Sequence, residues 1–255
     1  MRFVDLSTSL VNDAVSEIRP SKVRYITHNM EESWKHFTDR FECDRSELPN
    51  GWGNAVEEVF AGTHTSTHMD APFHFGPEMQ DGTPTKHIDE IPLDWCYHDG
   101  VVLDFRSFSD GQIITPEDID AELKRINYEI KPWDIVLIMT GRDKFIKDRE
   151  KYFAQPGMGR DAVLYLVDKG VKIIGIDAWG FDANFSILKK IYKETGDSSV
   201  IWQAHRAGLI KEYTHIEKLM NLDQLPPYGF KVICFPVKIE HGSAGWTRVV
   251  AMLED

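Results

Sequence analysis

The chain has 255 residues, with 29 Lys plus Arg against 41 Asp plus Glu, a formal net charge of −12. That acidic balance, without a Lys/Arg block or a basic amphipathic helix, excludes a phosphate-backbone binder and a membrane-surface binder. No apolar run approaches the ~20 residues of a membrane span, and 42% apolar residues is ordinary for a soluble globular protein.

From the N-terminus, residues 2–6 read as a short strand; Asp5 follows at once, so the apolar run of a signal peptide is missing. Residues 11–50 are charged and aromatic, with a helix expected over Met30 to Phe41, and Val56 to Phe60 reads as a strand. Residues 76–90 hold Gly76-Pro77, Asp81-Gly82 and Thr83-Pro84 and are expected to be loop. Beyond them strands and helices alternate. Val101 to Phe105 is an apolar strand. Thr115, a good N-cap, precedes Pro116 and two acids and starts a helix to about Ile126. Asp134 to Thr140 is a buried strand. Gly159 to Lys169 is a helix stopped by Gly170, and Lys172 to Asp177 is a strand. A helix is expected from Ser198 or Ser199 to Gly208, and Val232 to Val237 and Arg248 to Leu253 close the chain as strands. This alternation predicts an α/β fold with some parallel sheet. No stretch resembles a linker, so residues 1–255 are expected to form one domain. Cys43, Cys96 and Cys234 are odd in number and far apart, which is no disulfide framework and makes the cytoplasm the expected address.

The unusual count is ten histidines. His64, His68, Asp70 and His74 fall within eleven residues, all at even positions. In an extended chain such side chains share a face, and Thr63, Thr65 and Thr67 favour that conformation. Pro72 keeps Ala71 out of the helical region. At ~3.3 Å per residue, one ion can bridge His68 and Asp70, whereas His64 reaches it only if the strand bends at the glycines or Ser66. His74, past Pro72, is better placed as an acid–base group. A second cluster holds His205 and, beyond the helix-breaking Gly208, His215 and Glu217; taken alone, Glu217 reads as a solvated helix carboxylate and His205 as structural. Asp177, at a strand end, is either a functional group at the sheet's rim or a cap for the next turn.

His64-Thr-Ser-Thr-His68-Met-Asp70-Ala-Pro72-Phe-His74 resembles the HxGTHxDxPxH signature of the cyclase-like metal hydrolases, with Ser66 in the place of the glycine. Phe3-Val-Asp-Leu-Ser7, Ile174-Gly-Ile-Asp177, the His205 and Glu217 segment with Leu219, Asn221 and Leu222, and Phe235-Pro-Val-Lys238-Ile resemble further parts of that family's pattern, whereas Trp179-Gly-Phe-Asp182 fits neither the formamidase nor the isatin hydrolase branch. The resemblance implies a swivelling β/β/α domain with a mixed sheet, assembled as a homodimer or homotetramer. It implies zinc or manganese, one or two ions per chain. Ligands at His64, His68 and Asp70 follow from it, as do His205 and Glu217 for a second ion bridged by Asp70, and a catalytic His74.

The expected chemistry is hydrolysis of a small amide, cyclic amide or lactone. A divalent ion brings the pKa of bound water toward ~7, the hydroxide attacks the carbonyl, and His74 moves the proton to the leaving atom. Phe73, Trp179, Phe181 and Trp202 are available to line a flat pocket. Two other readings compete. His68, Asp70 and His205 satisfy the triad of a non-haem iron oxygenase, although such enzymes are usually antiparallel barrels. The chain could also be a metal- or ligand-binding module without catalysis. A GxSxG elbow, a P-loop and GxGxxG are all absent.

Overall fold

The apolar runs at 101–103, Ile135–Met139 and Ile173–Ile176 become strands buried on both faces, whereas Val56–Phe60 is a strand exposed along its length. The strands are β1 (Arg2–Asp5), β2 (Lys22–Ile26), β3 (Val56–Phe60), β4 (His68–Asp70), β5 (Tyr97–Asp104), β6 (Ile113–Ile114), β7 (Ile135–Met139), β8 (Gly157–Met158), β9 (Ile173–Ile176), β10 (Thr214–Glu217), β11 (Phe230–Ile233), β12 (Ala244–Trp246) and β13 (Val250–Leu253). The helices are α1 (Glu31–Phe41), α2 (Pro72–Phe75), α3 (Pro116–Ile126), α4 (Arg149–Phe153), α5 (Arg160–Asp168), α6 (Phe185–Thr195) and α7 (Gln203–Ala207). The computed structural model describes residues 1–254.

The chain forms two compact units: residues 10–14 with 18–62, and residues 1–9 and 15–17 with everything from 63 onward. In the smaller unit β2 and β3 pair antiparallel and α1 follows β2. Arg24 binds Glu32 of α1 and Glu58 of β3 there, all three side chains being exposed.

The larger unit is built on one nine-stranded sheet in the order β1-β13-β11-β5-β7-β9-β10-β4-β12. β5, β7, β9 and β10 run parallel, and the flanking pairs are antiparallel, giving the mixed α/β sheet expected. Alternation along β7 divides the core. Val136 and Ile138 join Leu123 of α3, Leu166 of α5 and Ala204 of α7 on the helical face. Ile135, Leu137 and Met139 face the other way, into a cluster with Val4, Met69, Val232 and Ala251. Val4 and Met69 lie on strands toward opposite ends of the sheet order, so the sheet curls until its two parts share that apolar layer. Hydrogen bonds close the curl: the Met220 N–H donates to Leu6 O at 3.0 Å and the Thr8 N–H to the Thr67 hydroxyl, Oγ1, at 2.8 Å. The layering is therefore sheet on sheet on helix.

Local signals hold where they are strongest. Thr115 Oγ1 accepts from the Asp118 N–H, and α3 ends at Asn127 in the left-handed region. The helix expected from Ser198 or Ser199 to Gly208 is broken: Trp202 has φ 59°, so a short 3-10 turn precedes a helix that covers only Gln203–Ala207. Sequence reading misses α6, although Asn184 caps its start and Gly196, at φ 71°, ends it.

Candidate metal centre

The histidine run is not one straight strand. Only His68–Asp70 is β-strand, and Pro72 at N1 turns the chain into the single helical turn of α2. Ser66 supplies the bend, with φ 60°, at the position where the family signature has glycine. A side chain in that region is strained, and the local network compensates. Ser66 Oγ donates to Ser9 O at 2.9 Å, and the Ser66 N–H donates to Glu17 Oε1 at 2.8 Å. Lys218 Nζ closes the network, donating to Glu17 Oε2 at 2.7 Å and to His64 O at 2.8 Å. This bend carries His64 back to Asp70.

β10 lies between β9 and β4, in a register that sets His215 opposite Asp70 and Glu217 opposite His68. Asp70 then divides its oxygens. Oδ1 has His64 Nδ1 at 2.8 Å and His68 Nε2 at 3.2 Å. Oδ2 has His215 Nε2 at 3.1 Å, His74 Nε2 at 3.7 Å and His205 Nε2 at 3.8 Å. Glu217 divides likewise, Oε2 lying 3.6 Å from His68 Nε2 and Oε1 3.6 Å from His205 Nε2. Two donor sets converge within 4.8 Å: Asp70, His205, His215 and Glu217, and His64, Asp70 and His74.

Four of these histidines have one ring nitrogen engaged elsewhere in the protein. His64 Nε2 meets Ser243 Oγ at 3.0 Å, and His68 Nδ1 meets Ser66 O at 2.8 Å. His205 Nδ1 is held by Asp182 Oδ2, and His215 Nδ1 meets Tyr213 OH at 3.2 Å. The other nitrogen of each ring points toward Asp70. Orientation of a ligand ring by a hydrogen bond to its far nitrogen is how metal-binding histidines are fixed. His68 Nε2 and Asp70 Oδ1 are buried without any hydrogen-bond partner, and His64 Nδ1 approaches Asp70 Oδ1 outside hydrogen-bond geometry. Donor atoms that face one point without bonding each other fit a cation between them. A borderline divalent ion suits this nitrogen and carboxylate set. His74 lacks a comparable anchor; its ring packs on His64 at 4.0 Å and edge-on to Trp202 at 4.9 Å.

The electrostatics agree. Burial raises the Asp70 carboxyl, but the charge of His68, the hydrogen bond with His215 and the close approach of the His64 and His68 rings outweigh it and hold the group well below the usual range. Burial lowers His215, yet its bonds to Asp70 and Glu217 raise it to about 9. His74 is brought down to about 4, mainly by burial, so its ring is neutral at pH 7.

The structure thus brings His64, His68, Asp70, His74, His205 and Glu217 to one place. Glu217 is a strand residue, 8% exposed, and the expected solvated helix carboxylate is wrong. Asp177 is a cap: it accepts from the Thr140 N–H and Oγ1 and from the Gly141 N–H. Two residues that the sequence leaves without a role join the cluster. His215 shares a face of β10 with Glu217, and the same two-residue spacing that links His68 to Asp70 could have assigned it. Asp182 orients His205 from the Trp179-to-Asp182 stretch, which also donates the Phe181 N–H to Glu217 Oε1 at 2.9 Å.

A cavity of about 230 Å³ opens beside the cluster, lined by His64, His74 and Glu217 on one side and by Trp179, Phe181, Phe185 and Trp202 on the other. Phe73, expected in a flat pocket, is instead packed on His87.

A family model described as putative cyclase matches residues 4–183. An isatin hydrolase of Roseibium aggregatum is 27% identical over 206 residues, 75% of this chain and 72% of that one. A kynurenine formamidase of Erythrobacter litoralis is 30% identical over 195 residues, 76% of each chain. Among solved structures, isatin hydrolase A from Ralstonia solanacearum has the same fold, with TM-score 0.78 at 24% identity, covering 99% of this chain and 92% of the other.

Proposed function

This chain belongs to the putative cyclase family, and on that premise we propose that it is a metal-dependent hydrolase of a small amide or cyclic amide, or of the corresponding ester or lactone. The observation that carries the reading is the contrast among the histidines. Four have one ring nitrogen anchored and the other aimed at Asp70, as ligands require, while His74 is left unanchored at the cavity wall.

His64, His68 and Asp70 would hold one ion; Asp70, His205, Glu217 and His215 would hold a second. The division of both carboxylates supports two ions over one, zinc or manganese. A divalent ion bound there supplies an acidified water and a positive charge for a carbonyl oxygen. His74, neutral at pH 7, takes a proton on Nε2 and returns it to the leaving nitrogen or oxygen, which completes the addition of water across the bond. Trp179, Phe181 and Trp202 hold a planar group against the cluster and exclude bulk water. Assembly as a homodimer or homotetramer and a cytoplasmic address belong to the same reading; family resemblance supports the first and cysteine usage the second.

The test is elemental analysis of the purified protein beside His68→Ala and His74→Asn, with proton release from a panel of amides, cyclic amides and lactones. We expect one or two zinc or manganese ions per chain, lost in His68→Ala. His74→Asn should keep its metal and lose turnover by about 10²–10⁴-fold. Absence of metal from the wild type, even after reconstitution, overturns the reading and leaves a ligand-binding module.

A further inference from the structure

A second groove, of about 490 Å³, adjoins the cavity beside the cluster, and Phe185 and Trp202 line both. Its apolar side comes from helical spacing: Phe185, Leu188 and Tyr192 stand at i, i+3 and i+7 on one face of α6. Ile201 faces them across the groove. Phe185 is 53% and Ile201 48% exposed, so this surface is open rather than packed away. Exposed apolar side chains gathered at one groove mark a binding surface, as scattered ones do not.

Two cations, Lys189 and Arg206, complete the lining. Lys189 follows Phe185 by four residues on α6. Arg206 follows Trp202 by four, its N–H donating to Trp202 O at 3.0 Å. Each cation therefore stands about one helical turn, ~6 Å of rise, beyond one of the two aromatics that the cavities share. Among the described residues neither has a carboxylate partner, whereas Lys190, the next residue of α6, pairs with Glu194. In a chain of net charge −12, two unpaired cations on one apolar groove make a local field that suits an anion.

We propose that this groove is a distal subsite for an apolar chain of the substrate, which passes Phe185 and Trp202 on its way out from the cluster and ends in a carboxylate held by Lys189 and Arg206. The substrate class is then an amide or ester whose far end is an acid on an apolar chain. Trp179 and Phe181 line the inner cavity and not the groove, so the reacting bond and the chain have separate walls. The inference deepens the hydrolase reading and rests on it for the word substrate; binding of the chain does not depend on turnover.

Octanoate and octanamide share one chain and differ in the charge at its end. Their affinities are measured by calorimetry on the metal-loaded protein at low salt, for the wild type, Lys189→Met, Arg206→Met and Ile201→Ser. Thermal melts and elemental analysis check the fold and the metal content of each variant. The wild type should bind octanoate about fivefold or more tighter than octanamide, the scale of two exposed ion pairs. Each methionine variant should lower that ratio about two- to fivefold, and added salt should lower it in the wild type. Ile201→Ser should weaken both ligands alike. If Arg206→Met, next to His205, loses metal, Lys189→Met carries the test. Equal affinity for the two ligands overturns the inference. So does a ratio that the methionine variants leave unchanged, which puts the carboxylate on the metal, and so does absence of binding, which leaves the groove to a protein partner. As substrates, N-formyl-8-aminooctanoate and its methyl ester should differ in kcat/KM by the same ratio, with the same response to the variants. Octanoate binding that responds to the variants while neither formamide is hydrolysed upholds the subsite and counts against the hydrolase reading alone.

Discussion

Lys218→Met isolates the network that bends the histidine loop. Lys218 is 4% and Glu17 5% exposed, and their charged atoms are 2.7 Å apart. At an effective dielectric near 20, two charges at that separation attract by ~6 kcal/mol, and desolvation of each ion costs several kcal/mol in return. The intact pair therefore contributes little net stability. Methionine keeps the apolar stem and removes the ammonium, leaving Glu17 buried with the Ser66 N–H as its remaining donor and His64 O without one. Removing one partner of a buried pair costs about 3–5 kcal/mol. The assay is urea unfolding of metal-free protein at pH 7, followed by the fluorescence of its seven tryptophans. The double variant Glu17→Gln with Lys218→Met removes the uncompensated charge and should recover roughly half of the loss. A single-variant loss below about 1 kcal/mol, or a double variant as unstable as the sum of the two singles, refutes the reasoning.

Ser66 should rank with its own strain: Ser66→Ala keeps the left-handed backbone but loses the bond to Ser9 O, whereas Ser66→Gly loses the bond and the strain together. Glycine should be about 1 kcal/mol more stable than alanine by thermal or urea unfolding, and the reverse order would count against a strained bend. Asp182→Asn should weaken metal binding about 10–100-fold in a chelator competition, since Asp182 orients His205; unchanged affinity would remove it from that role. The Asp177 carboxyl is pushed up to about 7, by burial above all, while bonds from Thr140 and Gly141 pull the other way. Its folded pKa lies above the unfolded ~3.9, so the folded state binds the extra proton. Its contribution to stability should be greatest below about pH 4 and be lost as pH rises toward 7, by at most ~1.4 kcal/mol per unit. The stability difference between wild type and Asp177→Asn, measured from pH 4 to 8, should trace that fall; a flat difference would contradict it.

What could be read from the chain alone is what neighbours in sequence decide. Thr115-Pro116 places the start of α3 because cap and first turn are local. Parity places His68 and Asp70 on one face because strand pleating has a fixed period. The need for a bend before His68 follows from chain length, and Ser66 meets it. Tertiary structure decided the rest. Glu217 looks like a solvated carboxylate until β10 is inserted between β9 and β4, a pairing across some 145 residues of sequence that no local pattern contains. The same register, His215 opposite Asp70, converts a buried strand histidine into part of the cluster. Asp182 finds His205 only because the chain leaving β9 and the helix α7 meet over the cavity. Donor types are a property of the sequence; their convergence depends on strand order and register, which arise when distant apolar faces bury each other.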